Sequence, residues 1–340
     1  MPLSRPPLSI KTGKIARQVN HFLDKMIPVI TPLAIALGFL LPGFFIHLRP
    51  YVIWLFAMMT FSGALKLKAR EFGAAMRSPL PIFLFFAVSH IMMPLAAKFA
   101  TAVFFENTDI LTGFVLLFSG PTAVSGLIWV SIFKGDKALC LTLILLDTLL
   151  APLVVPGTVL LLMGAKTTMD MNGIALSLLF MVVIPTIIGV TINEASREKI
   201  PVLVCPYVDP FAKICLMLVI AANAAAVALP DADGKRSVQF NDPLVWKVAV
   251  CCILFTVTGF LIVKLAAVIC KIRHPNDTTV VFCTGLRNNS AVMTIAVTFF
   301  PGAAVLPALL SIVFQQIIAA IMGKALFKKT DAREDAANPS

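Results

Sequence analysis

Apolar runs long enough to cross a bilayer as a helix, about 20 residues each, recur along nearly the whole chain. They cover 26–46, 50–66, 79–104, 109–133, 138–163, 173–192, 208–229, 244–270, 279–300 and 303–327. Polar and basic residues fill the short connections, and no stretch remains for a soluble domain. The pattern predicts an all-α polytopic membrane protein of about ten transmembrane helices, 26–327 forming a single transmembrane domain. The second run is short and fits a tilted or partly re-entrant segment. Residues 1–25 carry Arg5, Lys11, Lys14, Arg17 and Lys25 without a small-residue cleavage site, so they read as a retained cytoplasmic extension and not a signal peptide. Residues 328–340 read as a polar, mobile tail.

Ten runs divide into two sets of five, 26–163 and 173–327. An odd number per half makes the second copy enter from the opposite side, which is the arithmetic of an inverted repeat. The fourth run is interrupted by Gly120-Pro121. Its counterpart, the ninth, contains Gly285 followed by Arg287-Asn288-Asn289-Ser290. Either interruption alone is explained by a proline kink or a glycine packing contact. Together, at matching positions of two halves, they point to a central site.

Composition agrees with the bilayer as solvent. Of 340 residues, 59% are hydrophobic and 13% charged, against roughly 25% charged in soluble proteins. That excludes a soluble enzyme, a nucleic-acid-binding domain and a disordered chain. The net charge of +11 has a membrane explanation. With the N-terminus inside, the inside segments hold nineteen of the basic residues, and the outside loops hold only Arg49, Lys166, Lys235 and Arg236. Lys98, Lys213, Lys247, Lys264 and Arg287 fall within runs. Such a bias places both termini in the cytoplasm and fits the inner membrane of a bacterium. The seven cysteines include no CxxC pair and read as small hydrophobes, not a disulfide framework or metal site.

Charge inside the membrane costs at least roughly 2.5–3.5 kcal/mol, so each such residue needs a reason. Asp147 is the one acidic residue well inside an apolar run, and Arg287 lies a third of the way into the ninth. They pair to hold two helices together, or one or both face a substrate or coupling ion; both readings stand. His90 either bonds to a neighbouring helix or relays a proton with Asp147. Thr122, Ser125 and Thr148 either bond their own helix carbonyls or line a site beside Gly120-Pro121 and Ala151-Pro152. Gln315 and Gln316 are costly in lipid and should face the bundle interior. Enzyme readings fail. An intramembrane aspartyl protease needs two aspartates, Ser125 and His90 lack a nucleophile motif, and no Walker-type phosphate loop is present.

The runs FSGALKLKAREF, SHIMMP, GPTAVSGLIWVSIFKGDKALCLTLILLDTLLAPLVVP and GLRNNSAVMTIAVTFFPGAAVLPALLSIVFQQI resemble the bile acid:sodium symporter family, in order and spacing, over about residues 55–330. The resemblance implies two inverted repeats of five helices, with the fourth and ninth broken and crossing. It implies a core of helices 3–5 and 8–10 and a panel of helices 1, 2, 6 and 7. It also implies organic-anion substrates moved with sodium. Sodium-coupled members carry Glu-x-Gly-x-Gln-Asn in helix nine. Here Cys283 stands at the glutamate, Arg287 at the glutamine and Asn288 at the asparagine. The serine-asparagine pair of helix four falls on Val124-Ser125, a helix-five threonine on Thr148, a second hydroxyl position on Ile144, and the helix-three glutamine on Ser89. A hard cation wants oxygen ligands, and a guanidinium repels it, so these departures argue against sodium at the family's sites.

The reading that follows is a secondary transporter of a small organic anion, working by alternating access with H⁺ or Na⁺ as coupling ion and no bound cofactor. Half-helix N-termini near Gly120 and Gly285 would attract the substrate carboxylate. Thr122, Ser125, Thr148, Arg287, Asn288, Asn289, Ser290 and Gln316 would bind it; Asp147 and His90 would couple it. A uniporter or exchanger, or a sensor that binds without flux, are the alternatives. The charge bias predicts that single cysteines replacing Lys68, Lys134, Arg197, Arg273 and Lys329 are labelled from the side that holds the N-terminus. Labelling of the Lys134 and Lys329 positions from opposite sides would contradict the ten-span topology.

Overall fold

The computed structural model describes residues 8–67, 79–164, 170–230, 242–300 and 302–337. Arg5, Lys68, Arg70, Arg77, Lys166, Lys235 and Arg236, which enter the charge bias, lie outside the described residues. The described residues are almost wholly helical: α1 Leu8–Leu40, α2 Pro42–Ala64, α3 Pro79–Phe104, α4 Thr108–Ser119, α5 Gly126–Ile132, α6 Lys137–Met163, α7 Met171–Ala195, α8 Lys199–Ala228, α9 Pro243–Ile269, α10 Asn276–Gly285, α11 Asn289–Phe299 and α12 Leu306–Ala337. Seven helices among the described residues are long and apolar enough to cross a membrane: α2, α3, α6, α7, α8, α9 and Gly302–Phe327, which includes most of α12. Three shorter apolar stretches, Val29–Leu40, Thr108–Ser119 and Asn289–Phe299, lie in the first, fourth and ninth runs.

Side-chain chemistry sets the helix ends. Asn107 Oδ1 accepts from the amide of Asp109 at 2.8 Å and caps α4. Asp136 Oδ1 accepts from Leu139 N at 3.0 Å and caps α6. Asp242 Oδ1 accepts from Leu244 N at 2.8 Å and caps α9, where Pro243 stands at the first helical position, a place that needs no N–H. Two helices widen to a π turn, at Ala87–Met92 in α3 and Leu179–Val183 in α7. Each widening is followed by a proline, Pro94 or Pro185. A proline ring clashes with the carbonyl four residues before it, and a wider turn relieves that clash.

The termini and first turns differ from the sequence reading. The expected extension over 1–25 and the first run are one helix from Leu8 to Leu40, because its basic residues are good helix formers that hydropathy alone discards. The second helix begins at Pro42, not at 50, and passes through a 3₁₀ turn over Ile46–Tyr51. The expected mobile tail from 328 is helical through Ala337.

The chain divides into two compact units, one of residues 1–68 and 179–228, the other of 69–178 and 229–340. Residues 171–178 of α7 belong to the second unit and the rest of that helix to the first. In the first unit, α1 packs on α8 along a seam of small residues, with Ala34, Ala221 and Ala225 fully buried. A Cβ on Gly38 would sit 2.4 Å from the carbonyl oxygen of Ala221. In lipid, helix association rests on such close packing rather than on burial of apolar area. The same unit holds Asp209, which accepts from Ser62 Oγ at 2.8 Å and pairs with Lys66 at 2.8 Å.

The second unit holds α3 to α6, the first turns of α7 and α9 to α12. Its interior joins the ring that follows α5 to rings of α10 and α12: Phe133, Phe282 and Phe327 lie within 6.3 Å of one another, centroid to centroid. Large apolar side chains such as Phe83, Val103, Leu153 and Leu161 point outward, the last 81% exposed. An apolar exterior over an interior that holds Asp147, Arg287 and Gln315 is the arrangement lipid demands. The Gly38 seam gives a direct test: Gly38→Leu inserts four carbons against the α8 backbone and should cost at least about 1–3 kcal/mol. The thermal midpoint in detergent should fall; an unchanged midpoint would show that the seam does not hold the unit together.

Candidate functional site

The site is built where two helices are interrupted. The segment between α4 and α5 starts at Gly120-Pro121. Proline disfavours helical backbone in the residue before it, and Gly120 takes φ −60°, ψ 154°. The segment between α10 and α11 is Leu286-Arg287-Asn288, with Leu286 extended at φ −112°, ψ 111°. The two segments pair as an isolated antiparallel bridge between Thr122 and Arg287. Ala123 N donates to Leu286 O at 3.0 Å, and Asn288 N donates to Pro121 O at 2.8 Å. Both flanking glycines are required by close approach: a Cβ on Gly120 would meet Val292 at 2.3 Å, and one on Gly285 would meet the Phe260 ring at 2.4 Å.

Each interruption supplies donors to the carbonyls that the other leaves open. Thr122 Oγ1 lies 2.5 Å from Cys283 O and 3.1 Å from Leu286 O, at the end of α10. Arg287 donates from Nη1 to Gly120 O at 3.2 Å, at the end of α4, and from Nη2 to Ser89 O at 3.0 Å, in the π turn of α3. A cation at a helix C-terminus is favoured by the helix dipole. Side chains from two further helices hold the bridge residues. Asp147 of α6 accepts from Thr122 N at 2.7 Å. Gln315 of α12 accepts from Arg287 N at 3.0 Å and donates to Arg287 O at 2.9 Å.

The second oxygen of Asp147 is 2.8 Å from His90 Nε2, in a close contact that is not aligned as a hydrogen bond. The imidazole is stacked on Phe86 at 5.6 Å. Asp147 therefore pairs with His90 and not with Arg287, one of the two partnerships the sequence left open; the guanidinium is instead held by backbone carbonyls. Several buried polar atoms around these groups have no protein partner: Ser89 Oγ, His90 Nδ1, Arg287 Nε and both amide atoms of Asn289.

The remaining candidates lie at graded distance from this centre. Asn288 caps α11, its Oδ1 accepting from Ala291 N at 3.2 Å. Ser290 O accepts from Thr294 Oγ1 at 2.9 Å within α11. Thr148 is buried beside Asp147. Gln316 corrects an expectation. It is exposed, because neighbouring residues on a helix point about 100° apart, and Gln315 takes the inward position. Gln316 still satisfies its amide, accepting from Trp129 Nε1 at 2.8 Å and donating to Ser125 Oγ at 3.2 Å. Gln315, by contrast, takes the interior position that its cost in lipid predicts, and it is the side chain that grips the second interruption, a partnership the sequence does not indicate.

Replacing that amide tests the geometry. Gln315→Leu leaves the buried Arg287 N–H unpaired, at about 1–3 kcal/mol, while the Arg287 carbonyl keeps the Asn289 N–H at 2.9 Å. We expect a lower thermal midpoint and a large loss of uptake, with Gln315→Glu, which keeps an acceptor for the N–H, retaining more of both. Equal behaviour of the two variants would show that the clamp is not needed.

The model of the Sodium Bile acid symporter family matches residues 52–229. The protein YbaS of Bacillus subtilis (strain 168) is 36% identical over 300 residues, 88% of this chain and 96% of the relative. YocS of the same organism, named an uncharacterized sodium-dependent transporter, is 21% identical over 320 residues, 94% of this chain and 96% of the relative. A rice protein (Oryza sativa subsp. japonica) named "Probable sodium/metabolite cotransporter BASS3, chloroplastic" is 24% identical over 318 residues, 92% of this chain and 72% of the relative. The two interrupted, mutually bridged helices, set among apolar membrane-length helices, thus sit in a chain that belongs to the sodium bile acid symporter family of membrane transporters.

Proposed function

We propose that this transporter moves a small organic anion by alternating access, and that Arg287 provides the positive charge at a place where sodium-coupled relatives use an ion. The observation that carries the reading is the guanidinium itself. It is 2% exposed and takes the carbonyl oxygens of Gly120 and Ser89 as acceptors. Ser89 and Arg287 are two of the positions that the family resemblance matches to sodium ligands, and here one donates to the other. Carbonyl oxygens that already accept from a fixed cation are poor ligands for a second. The residues present therefore do not fit a sodium ion at this point.

Recognition of the anion rests on the first turn of α11. The helix dipole there favours a carboxylate. Asn289 presents a buried amide without a protein partner, and Asn288, Ser290, Thr122, Ser125, Thr148 and Gln316 complete the polar lining. Asp147 and His90 form the coupling pair. Arg287 stays protonated at any working pH and cannot carry the proton itself. The ten-span, inverted-repeat topology with both termini inside is part of the same reading. It is supported by the loop charges and by a repeated motif: Asp147 holds Thr122 N from 25 residues on, and Gln315 holds Arg287 N from 28 residues on.

The names of the relatives favour a second reading, sodium coupling through ligands outside the matched positions. Uptake into proteoliposomes, with sodium and proton gradients imposed separately, decides between them. We expect accumulation that depends little on Na⁺ and responds to a pH gradient. Asp147→Asn should abolish pH-driven uptake and leave exchange intact. Steep, saturable stimulation by Na⁺ at fixed pH and ionic strength would overturn the Arg287 reading. Binding without any flux would make the protein a sensor.

A further inference from the structure

Two thiols that the transport reading does not use face each other inside the second unit. Cys140 Sγ, in the first turn of α6, is 3.6 Å from Cys283 Sγ, in the last turn of α10. Both residues are wholly buried and both thiols are free. Their places in the fold are specific. The carbonyl of Cys283 accepts from the Thr122 hydroxyl at 2.5 Å, and α6 carries Asp147 two turns beyond Cys140. The sulfurs are in contact, and a disulfide needs a separation of about 2.05 Å. Closing that gap needs rotation about the two Cα–Cβ bonds and movement of the helix ends.

We propose that Cys140 and Cys283 form an oxidation-sensitive dithiol whose disulfide ties α6 to the interrupted end of α10 and slows transport. The oxidant class is a small uncharged peroxide, able to enter where bulkier reagents are excluded. One thiolate attacks the O–O bond of hydrogen peroxide, giving a sulfenic acid and releasing hydroxide, which takes up the thiol proton as water. The second thiol then displaces the sulfenic oxygen, forming the S–S bond and a second water. Overall, two thiols and one peroxide give one disulfide and two waters. Burial makes the first step slow, and contact makes the second fast, so the product is the disulfide rather than higher oxides. The bond draws Cys283 toward α6 and with it the carbonyl that the Thr122 hydroxyl depends on, which perturbs the bridge between the two interruptions.

The test uses the full chain in proteoliposomes. Exposed thiols, with the half-buried Cys205 and Cys270 among the targets, are first blocked by a membrane-impermeant alkylating reagent. The vesicles are then treated with hydrogen peroxide, denatured, alkylated again and digested. We expect the Cys140 and Cys283 peptides joined, at a mass two hydrogens below their sum, and released by dithiothreitol. Uptake should fall several-fold on oxidation and recover with the reductant. Cys140→Ser should keep basal uptake and lose the sensitivity. Recovery of both cysteines as separate alkylated or sulfinic species after peroxide would overturn the proposal. So would a joined peptide with unchanged uptake, or equal inhibition of Cys140→Ser. The peptide measurement on the unmutated chain needs no assumption about substrate or coupling ion, so its failure is distinct from failure of the transport reading.

Discussion

The site within the second unit follows from one constraint: unwound backbone buried among apolar helices must find its hydrogen bonds within the protein. Two helices stop and restart, and each stop leaves carbonyls without a partner. The solution is reciprocal. The first interruption gives a hydroxyl from Thr122 to the end of α10, and the second gives a guanidinium from Arg287 to the end of α4. The bridge between the segments satisfies two more pairs, and Asp147 and Gln315 satisfy what remains on Thr122 and Arg287. Removing any one of these side chains exposes a buried backbone group. The polar residues of the second unit are therefore first of all the means by which the interruptions can exist.

That constraint also explains how much was legible in the sequence. Hydropathy reports composition over a window, so the long apolar helices could be read directly. Gly120-Pro121 was legible because proline acts on its immediate neighbour. The clamp from Gln315 was not, because its partner lies 28 residues away and no local rule links them. The Arg287 contact with Ser89 spans 198 residues. Intramembrane charges of opposite sign suggested an Asp147–Arg287 pair. The fold instead gives Asp147 an imidazole and gives Arg287 backbone carbonyls, an outcome that residue charge alone does not decide. The continuity of α1 through its basic first turns was missed for a related reason: a hydropathy threshold marks where a bilayer core begins, not where a helix does.

The two clamps are chemically unequal, and the difference bears on function. Gln315 contributes one acceptor and one donor to a single residue, so it fixes that segment without bringing charge. Asp147 brings a charge, gives one oxygen to Thr122 and leaves the other against His90. A proton arriving at this pair changes an acceptor that the first interruption relies on, whereas no proton event alters the amide at the second. On the proposed reading, a conformational response to protonation of this pair would enter through α6 and α3.

A tethered cation and a mobile cation solve the same electrostatic problem with different consequences for energy. A sodium ion neutralises the site and also brings the free energy of its gradient, because it enters from one side and leaves on the other. On the proposed reading Arg287 stands in for that charge, but it never leaves, and a charge that does not cross contributes no gradient energy to the cycle. A transporter with a guanidinium at this point must draw its driving force from another species. On the proposed reading the substrate runs down its own gradient, or a proton crosses with it by way of Asp147 and His90; on the second reading sodium crosses through ligands elsewhere in the chain, and in each case the charge at Arg287 stays behind.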